Sequence, residues 1–444
     1  MNSAALAATP TGALTPGKWS PRAIYTIVVL GLSAGVQLSD QGIQGLSLSA
    51  IQQAFGVSDA ALGAVQGLAG FFVGSLLAIP LSRLVDHFPR KLILLGLILA
   101  STTMMVVSAI APNFTLFFLG RSSAGIIEFA MIPLVYSMIP DLAPENDRVL
   151  ANLGFAALMA AGASGGYYFG GAIIDVGEHI IPLAIDPWRK GFLIISMSGV
   201  PLFLLGLLTI DPKRYPGVAS ASSTASLVGF LQQHWRRTAL FIGIAGFMLV
   251  AVQALNQLIA LAIERRFDAD TAQIGRAMGI ILLLVSAGSI PAAGLLDKVL
   301  GRYIGLSSRP TIMGLGAIAA LPASLVLMAT NSIDHAFIAI GAFLFLTATA
   351  NALVPTMLQD LIPAPLRARS FAIWSFLVSI FSALGPLTAG VLSDVFYRNS
   401  LLQAITVTTI PTLVLSAVFA VRLAQTTSNF PPDAERAPGA SEPG

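Results

Sequence analysis

The chain is interrupted at intervals that leave uncharged, apolar stretches long enough to cross a bilayer, and this recurrence constrains its fold more than any other feature. A membrane-spanning helix needs about 20 such residues. Dividing the 444 residues at charged or Pro/Asn/Gly-rich breaks gives twelve stretches: 24–48, 60–82, 91–111, 114–138, 149–174, 191–210, 238–262, 272–296, 309–330, 333–358, 368–393 and 400–423. Composition agrees, with 55% hydrophobic and 10% charged residues and a mean hydropathy of +0.82, far outside the soluble range. The expected fold class is an all-α membrane protein with twelve transmembrane helices. The first stretch begins near Ile24 behind a tail rich in Ala, Pro and Thr. It runs past the length of a signal-peptide core without an Ala-x-Ala cleavage site and reads as a retained span.

Of the 24 Lys and Arg residues, seventeen fall on the side of both termini, six on the other, and Arg121 lies within a span. By the positive-inside rule both termini are cytoplasmic. The expected location is a bacterial inner (plasma) membrane, with the lipid bilayer as a partner. Basic residues spread over short loops give no nucleic-acid footprint. There are no cysteines, hence neither disulfides nor thiolate metal sites, and the four histidines (His87, His179, His234, His335) sit near loops without clustering. No metal and no cofactor is expected. No nucleotide loop or nucleophile triad is visible, so the chain does not read as an enzyme.

The chain also repeats itself. Met138-x-x-Asp141-x-x-Pro144-x-x-x-Arg148 returns as Met357-x-x-Asp360-x-x-Pro363-x-x-x-Arg367, and Gly166, Gly171 and Asp175 return as Gly385, Gly390 and Asp394, all at one offset of 219. Both copies put their arginine loops on one side of the membrane, so they are parallel six-helix repeats of the major-facilitator type. The implied organisation is an N-terminal tail (1–20), a first six-helix half (21–210), a cytoplasmic connector (211–237), a second half (238–424) and a disordered C-terminal tail (425–444).

Charges inside spans mark the chemistry. Arg121-Ser-Ser-Ala-Gly-Ile-Ile-Glu128 lies in span four, where a charged side chain at mid-helix costs roughly 2.5–3.5 kcal/mol and usually serves ions or substrate. Seven residues make two turns, about 10 Å of rise, so Arg121 and Glu128 share a face. An ion-paired plug locking two helices is the alternative. Asp40 lies in span one at a depth similar to Arg121; burial disfavours its charged form and a nearby arginine favours it, the competition a proton carrier needs. Its alternative role is to cap the outer end of span one. Uncharged amides on spans seven and ten (Gln253, Asn256, Gln257, Asn351), with Tyr167 and Trp374, are candidates for a substrate cavity, although amides equally serve as interhelical hydrogen-bond partners. The pairs Gly165-Gly166 and Gly170-Gly171 on span five read as sites of close helix contact.

Between spans two and three, Ser82-Arg83-Leu84-Val85-Asp86-His87-Phe88-Pro89-Arg90-Lys91 resembles the major-facilitator loop signature Gly-x-x-x-Asp-Arg-x-Gly-Arg-Lys, keeping Asp86, Arg90 and Lys91. With Arg148 and Arg367 these form a candidate cytoplasmic gate. The second-half counterpart, Asp297-Lys298 with Gly301-Arg302, is out of register. Arg121-x-x-x-Gly125-x-x-Glu128 followed by Pro133, Tyr136-Ser137, Asp141 and Pro144, together with Pro187-Trp188-Arg189, Phe192, Gly385-Pro386, Gly390 and Ser393-Asp394, resembles the spinster-like family of major-facilitator transporters from about residue 25 to 395. Organic-anion symporters of the same superfamily share the span-four spacing. The resemblance implies that Glu128 is a protonatable coupling residue, that Arg121 stabilises its charged form and that Asp40 joins them. One departure is Gln41, where the family usually has an arginine after the aspartate; it removes an anchor for a substrate's anionic group.

These readings converge on a secondary active transporter, a monomer, moving a small organic-anion or amphipathic, lysolipid-like substrate by alternating access with proton coupling. A drug–proton antiporter and a transporter-like, non-transporting receptor are the alternatives.

Overall fold

A computed structural model of the protein describes residues 18–73, 75, 88–211, 224–362 and 366–428. Among them the regular elements are all helical. A bilayer leaves no water to satisfy backbone polar groups, so a spanning chain must close its hydrogen bonds within each helix or in a closed barrel. Nine helices are individually long and apolar enough to cross, by length and composition. Taken in order, the described helices follow the twelve expected spans, from Pro21–Leu46 to Leu401–Ser428. Local signals explain the starts: Pro21 occupies the first turn of span one, where a missing N–H costs nothing, and the Asn113 side chain accepts from Leu116 N (2.9 Å) to open span four, Phe114–Leu142.

Several spans are not simple rods. Span two begins as Asp59–Ala64 and continues as a π-helix, Val65–Val73, a geometry that recurs at functional sites. Span five is divided into Arg148–Tyr168 and Gly170–Ile180. The connector carries a helix, Thr224–Gln233, ahead of span seven, Trp235–Phe267. The last helix runs on to Ser428, beyond the boundary expected at 424.

The duplication recurs in three dimensions. A Cβ on Gly166 would meet Ser39 O of span one at 2.3 Å, and one on Gly385 would meet Val250 O of span seven at 2.5 Å. Likewise a Cβ on Gly171 would lie 3.0 Å from Ala272 Cα of span eight, and one on Gly390 2.3 Å from Asp59 O of span two. Thus equivalent glycines let span five cross spans one and eight, and span eleven cross spans seven and two. Backbones approach this closely only where no Cβ intervenes. The expected packing role holds for Gly166, Gly170 and Gly171; Gly165 faces open space, its Cβ meeting only the Phe169 ring edge at 3.9 Å.

At the ends carrying both tails the repeat has an ionic form as well. Arg90 pairs with Asp141 at 2.5 Å in the first half, and Arg309 pairs with Asp360 in the second, both residues displaced by 219. Arg309 also bonds Asp297 at 3.2 Å. Arg309, rather than Lys298 or Arg302, is therefore the partner of Arg90 in the repeat. Both arginines lie in the first turn of their helices, Arg90–Ile110 and span nine, Ser308–Ala329; the loop signature hides Arg309 because Gly305 and Pro310 stand where Asp86 and Lys91 would recur.

Candidate functional site

Span one places Asp40 six residues from its C-terminal end and span four places Arg121 seven residues from its N-terminal end, about 9 and 10 Å along the axes. The two side chains meet: Arg121 Nη1 donates to Asp40 Oδ2 at 2.5 Å, and both are almost wholly buried, with side-chain exposures of 7% and 3%. Asp40 is thus an interior residue of a helix that continues to Leu46, which removes the alternative that it caps the helix end. Arg121 also lies 5.6 Å from the ring centre of Phe192 on span six, a cation–π contact. Glu128 follows Arg121 by two turns in the same unbroken helix; its side chain lies outside the described residues.

This pair faces a central cavity of about 510 Å³, open mouth included, lined by Gln37, Gln41, Gln44, Gln66, Phe71 and Gln257 among others. The lining carries several amides, and three are chained across the halves. Gln44 Nε2 donates to Gln66 Oε1 (2.5 Å), Gln66 Nε2 to the backbone oxygen and Oε1 of Gln257 (3.0 and 3.2 Å), and Gln257 Nε2 to Gln253 Oε1 (3.3 Å). Three buried polar atoms of the lining have no hydrogen-bond partner among the described residues: Asp40 Oδ1, Arg121 Nε and Gln37 Nε2. Buried polar groups are nearly always hydrogen-bonded, so their coincidence in one cavity points to a ligand.

Of the sequence candidates for substrate binding, Gln41 and Gln257 line the cavity, and Gln253 reaches it through Gln257. The others lie outside its lining. Tyr167 is packed among spans one, five and eight, beside Gly45 and Gly275, and Trp374 packs on Phe241 with ring centres 5.0 Å apart. Asn256 and Asn351 are partly buried elsewhere on spans seven and ten. Gln37, Gln44 and Gln66 were missed, although each is a polar residue in an apolar run, the signal that picked out Gln253 and Asn256.

Of the gate candidates, Asp86 lies outside the described residues, as does the side chain of Arg367. Arg90 donates to Ser137 O (2.6 Å) and Asp141, Lys91 to Leu207 O (2.6 Å), and Arg148 to Pro140 O (3.3 Å). All these partners belong to the first half.

An ionic cluster that does join the halves sits at the opposite end. Arg265 at the end of span seven grips Asp59 with both nitrogens, Nη1 to Oδ2 at 2.9 Å and Nη2 to Oδ1 at 2.7 Å, and donates to Gln52 Oε1 at 2.5 Å. Ser393 Oγ donates to Asp59 Oδ2 (2.6 Å). Asp394 in turn accepts from the backbone N–H groups of Asp59 and Ala60 (3.0 and 2.8 Å), placing a carboxylate at a helix N-terminus, where the dipole favours it. Burial alone would push the Asp59 carboxyl up, but the bonds from Arg265 and Ser393, the charge of Arg265 and the bond from Gln52 hold it below the usual carboxylate range. On the same side, Arg189 donates to Ala109 O and Ala111 O (2.8 and 2.7 Å), closing the end of span three, Arg90–Ile110. Its neighbour Trp188 packs against Phe55, Phe117 and Phe192. The Pro-Trp-Arg motif is therefore an anchor between helix ends.

A family model described as Major Facilitator Superfamily matches residues 30–346 and again 258–442. The chain belongs to this superfamily. Its resemblance to the spinster-like branch extends to three dimensions: a bacterial homolog to the human lysosomal transporter Spinster, solved in an inward-facing and unoccupied conformation, superposes with a TM-score of 0.79 at 19% identity, over 94% of this chain and 100% of that one. At that identity the likeness is one of fold. Among curated relatives, the 3-(3-hydroxy-phenyl)propionate transporter of Escherichia coli (strain K12) is 24% identical over 385 residues, 85% of this chain and 88% of the relative. An MFS-type efflux pump of Mycolicibacterium smegmatis is 24% identical over 389 residues, 84% and 85% of the two chains. The chain is a membrane transporter of this superfamily.

Proposed function

We propose that the protein is a proton-coupled secondary transporter of small organic anions, with hydroxylated aromatic carboxylates as the substrate class. The observation that carries this reading is the buried Asp40–Arg121 pair, open to the central cavity and only partly satisfied. While Asp40 is ionised it holds Arg121. A proton on Asp40 cancels its charge and weakens the bond, and a buried guanidinium then needs another anion. A substrate carboxylate meets that need, and Arg121 Nε is already without a hydrogen-bond partner among the described residues. Proton and anion thus enter as a neutral sum, with Arg121 passing from one carboxylate to the other as the halves rock about the cavity. Glu128, two turns along the same helix, supplies a second titrating carboxylate in this reading. The substrate class draws support from the E. coli relative, which is named for a hydroxylated aromatic acid.

The same reading makes the protein a monomer of two six-helix halves (21–210 and 238–424) in a bacterial inner membrane, both termini and the 211–237 connector cytoplasmic. Asp86, Arg90, Lys91, Arg148 and Arg367 form its cytoplasmic gate, and Gln41, Gln253 and Gln257 belong to its substrate site.

Similarity to an efflux pump keeps a second reading in play, drug–proton exchange through the same carboxylates. Proteoliposomes with an acidic exterior separate the two. Accumulation of radiolabelled 3-(3-hydroxyphenyl)propionate that collapses with a protonophore supports symport. Failure of every aromatic acid to move, with proton-driven extrusion of cationic dyes, overturns it in favour of exchange.

A further inference from the structure

Gln37 precedes Asp40 by three residues on span one, which places the two side chains side by side with Cβ atoms about 5–6 Å apart. Gln37 is 8% exposed, and its Nε2 meets no acceptor among the described residues. Asp40 Oδ1 is the oxygen left over from the bond to Arg121, and it meets no donor among them. Gln37 stands in the wall between the central cavity and a second space of about 250 Å³ inside the first half. The hydroxyls around that second space are already committed: Ser33 donates to Val29 O, Ser101 and Thr102 to Ile98 O, and Ser198 to Ile195 O. Much of the remaining lining is aliphatic. Nothing in this wall accounts for an amide donor and a carboxylate acceptor held open next to each other.

The chemistry of the pair selects its occupant. A carboxylate only accepts, so it cannot donate to Asp40 Oδ1. An ammonium only donates, so it leaves Gln37 Nε2 unmet. A hydroxyl does both, and two hydrogen bonds of about 2.8 Å span the separation of side chains one helical turn apart. We infer that Gln37 and Asp40 form a seat for a neutral hydroxyl of the transported molecule, which makes Gln37 a specificity-determining residue. This rests on the anion-transport reading: the substrate's carboxylate takes Arg121 and its hydroxyl takes the seat on span one. An analogue lacking the hydroxyl binds less well, because it leaves both protein groups to be met by water or not at all.

A matched pair of acids, 3-(3-hydroxyphenyl)propionate and 3-phenylpropionate, tests the seat by counterflow in proteoliposomes. The wild type takes the hydroxylated acid with a KM about tenfold lower, the effect of one well-placed hydrogen bond. Gln37→Met, close in length but without a donor, raises that KM several-fold and leaves the deoxy acid within about twofold, so the preference narrows to what the Asp40 bond alone supports. Undiminished preference in the variant overturns the assignment of Gln37. A second measurement needs neither transport nor a carboxylate: the thermal stabilisation of purified protein by phenol compared with benzene at equal free concentration. Phenol stabilises the wild type more, and the difference shrinks in Gln37→Met. Equal stabilisation of the wild type by both means that water alone fills the seat, and the inference fails. Should the wild type transport neither acid while still telling phenol from benzene, the anion-transport reading falls and the seat stands.

Discussion

Two of this protein's arginine–carboxylate pairs, Arg265–Asp59 and Arg121–Asp40, differ in how completely they are satisfied. At the end of the bundle away from both tails, as the outer pair, Arg265 holds Asp59 in a two-pronged grip reinforced by Gln52 and Ser393, with the Arg265 side chain 26% exposed. In the centre, Arg121 meets Asp40 through one bond, with the second carboxylate oxygen and the guanidinium Nε left over, and hardly any solvent contact. A bidentate pair with its lone pairs filled is a strong, directional fastener. A buried pair with orphan atoms is costly and kept only where another partner completes it. The outer pair joins the two halves, while the inner pair joins two helices of one half and faces the cavity. The first is built to hold a conformation and the second to exchange partners.

The largest expected effect separates these roles. Arg121→Ala leaves Asp40 without its cation and a substrate carboxylate without its anchor, so the exchange cycle stops: proton-driven accumulation falls at least about 100-fold, in line with the several kcal/mol lost when one member of a buried pair is removed. Arg265→Ala removes a fastener with access to water. It lowers transport less than about tenfold and thermal stability by about 1–3 kcal/mol, the worth of hydrogen bonds to a charged group. Initial rates of radiolabelled acid uptake and melting curves of the two variants decide the matter. An Arg265→Ala protein as inactive as Arg121→Ala would erase the distinction.

The sequence made the inner pair visible and hid the outer one, for a physical reason. A charge inside a 20-residue apolar run is anomalous at once, so Arg121 and Asp40 stand out without coordinates. Asp59 and Arg265 fall at helix ends, where charges are ordinary and nothing along the chain tells that residues 206 apart will meet. The repeat was legible for a similar reason: Gly166 and Gly385 must let backbones touch and cannot drift. Arg309 keeps the offset from Arg90 and reaches Asp360, but with Gly305 and Pro310 in place of a second Asp86 and Lys91 the loop signature around it is gone. Partner choice within the site was less legible. A spacing of seven on one helix puts Arg121 and Glu128 on a common face, yet it is silent about the neighbouring helix, from which Asp40 comes. Tyr167 and Trp374 were singled out as large aromatics suited to a pocket, and both went into helix packing instead.

A smaller effect concerns pH at the outer pair. Because the native cluster holds Asp59 below the usual carboxylate range, its stabilisation is fully present above the ordinary aspartate value. It is lost as pH falls through the lowered one, when the proton displaces Arg265. The wild type therefore loses thermal stability on acidification to an extent that Asp59→Asn does not, and the two melting curves converge at low pH. Parallel curves over the whole range would show that the Asp59 carboxylate contributes nothing to the native cluster and that the outer pair is not the fastener of the comparison.

The smallest effect tests geometry with charge kept constant. Lysine preserves the positive charge at either position but offers a compact ammonium in place of a planar fork. At the outer pair the fork is in full use, since Arg265 serves both oxygens of Asp59 and the Gln52 amide together. Arg265→Lys therefore behaves much like a partial deletion, with a melting temperature between wild type and Arg265→Ala. At the inner pair only one guanidinium nitrogen reaches Asp40, so Arg121→Lys keeps the resting structure and melts within a degree or two of wild type, for a change of less than about 0.5 kcal/mol. Its deficit is confined to the step in which a substrate carboxylate must be gripped, and shows as a KM raised several-fold with little change in kcat. If Arg121→Lys instead lost stability as Arg265→Lys does while its KM stayed at the wild-type value, the central arginine would be a fastener as well, and the contrast between the two pairs would collapse.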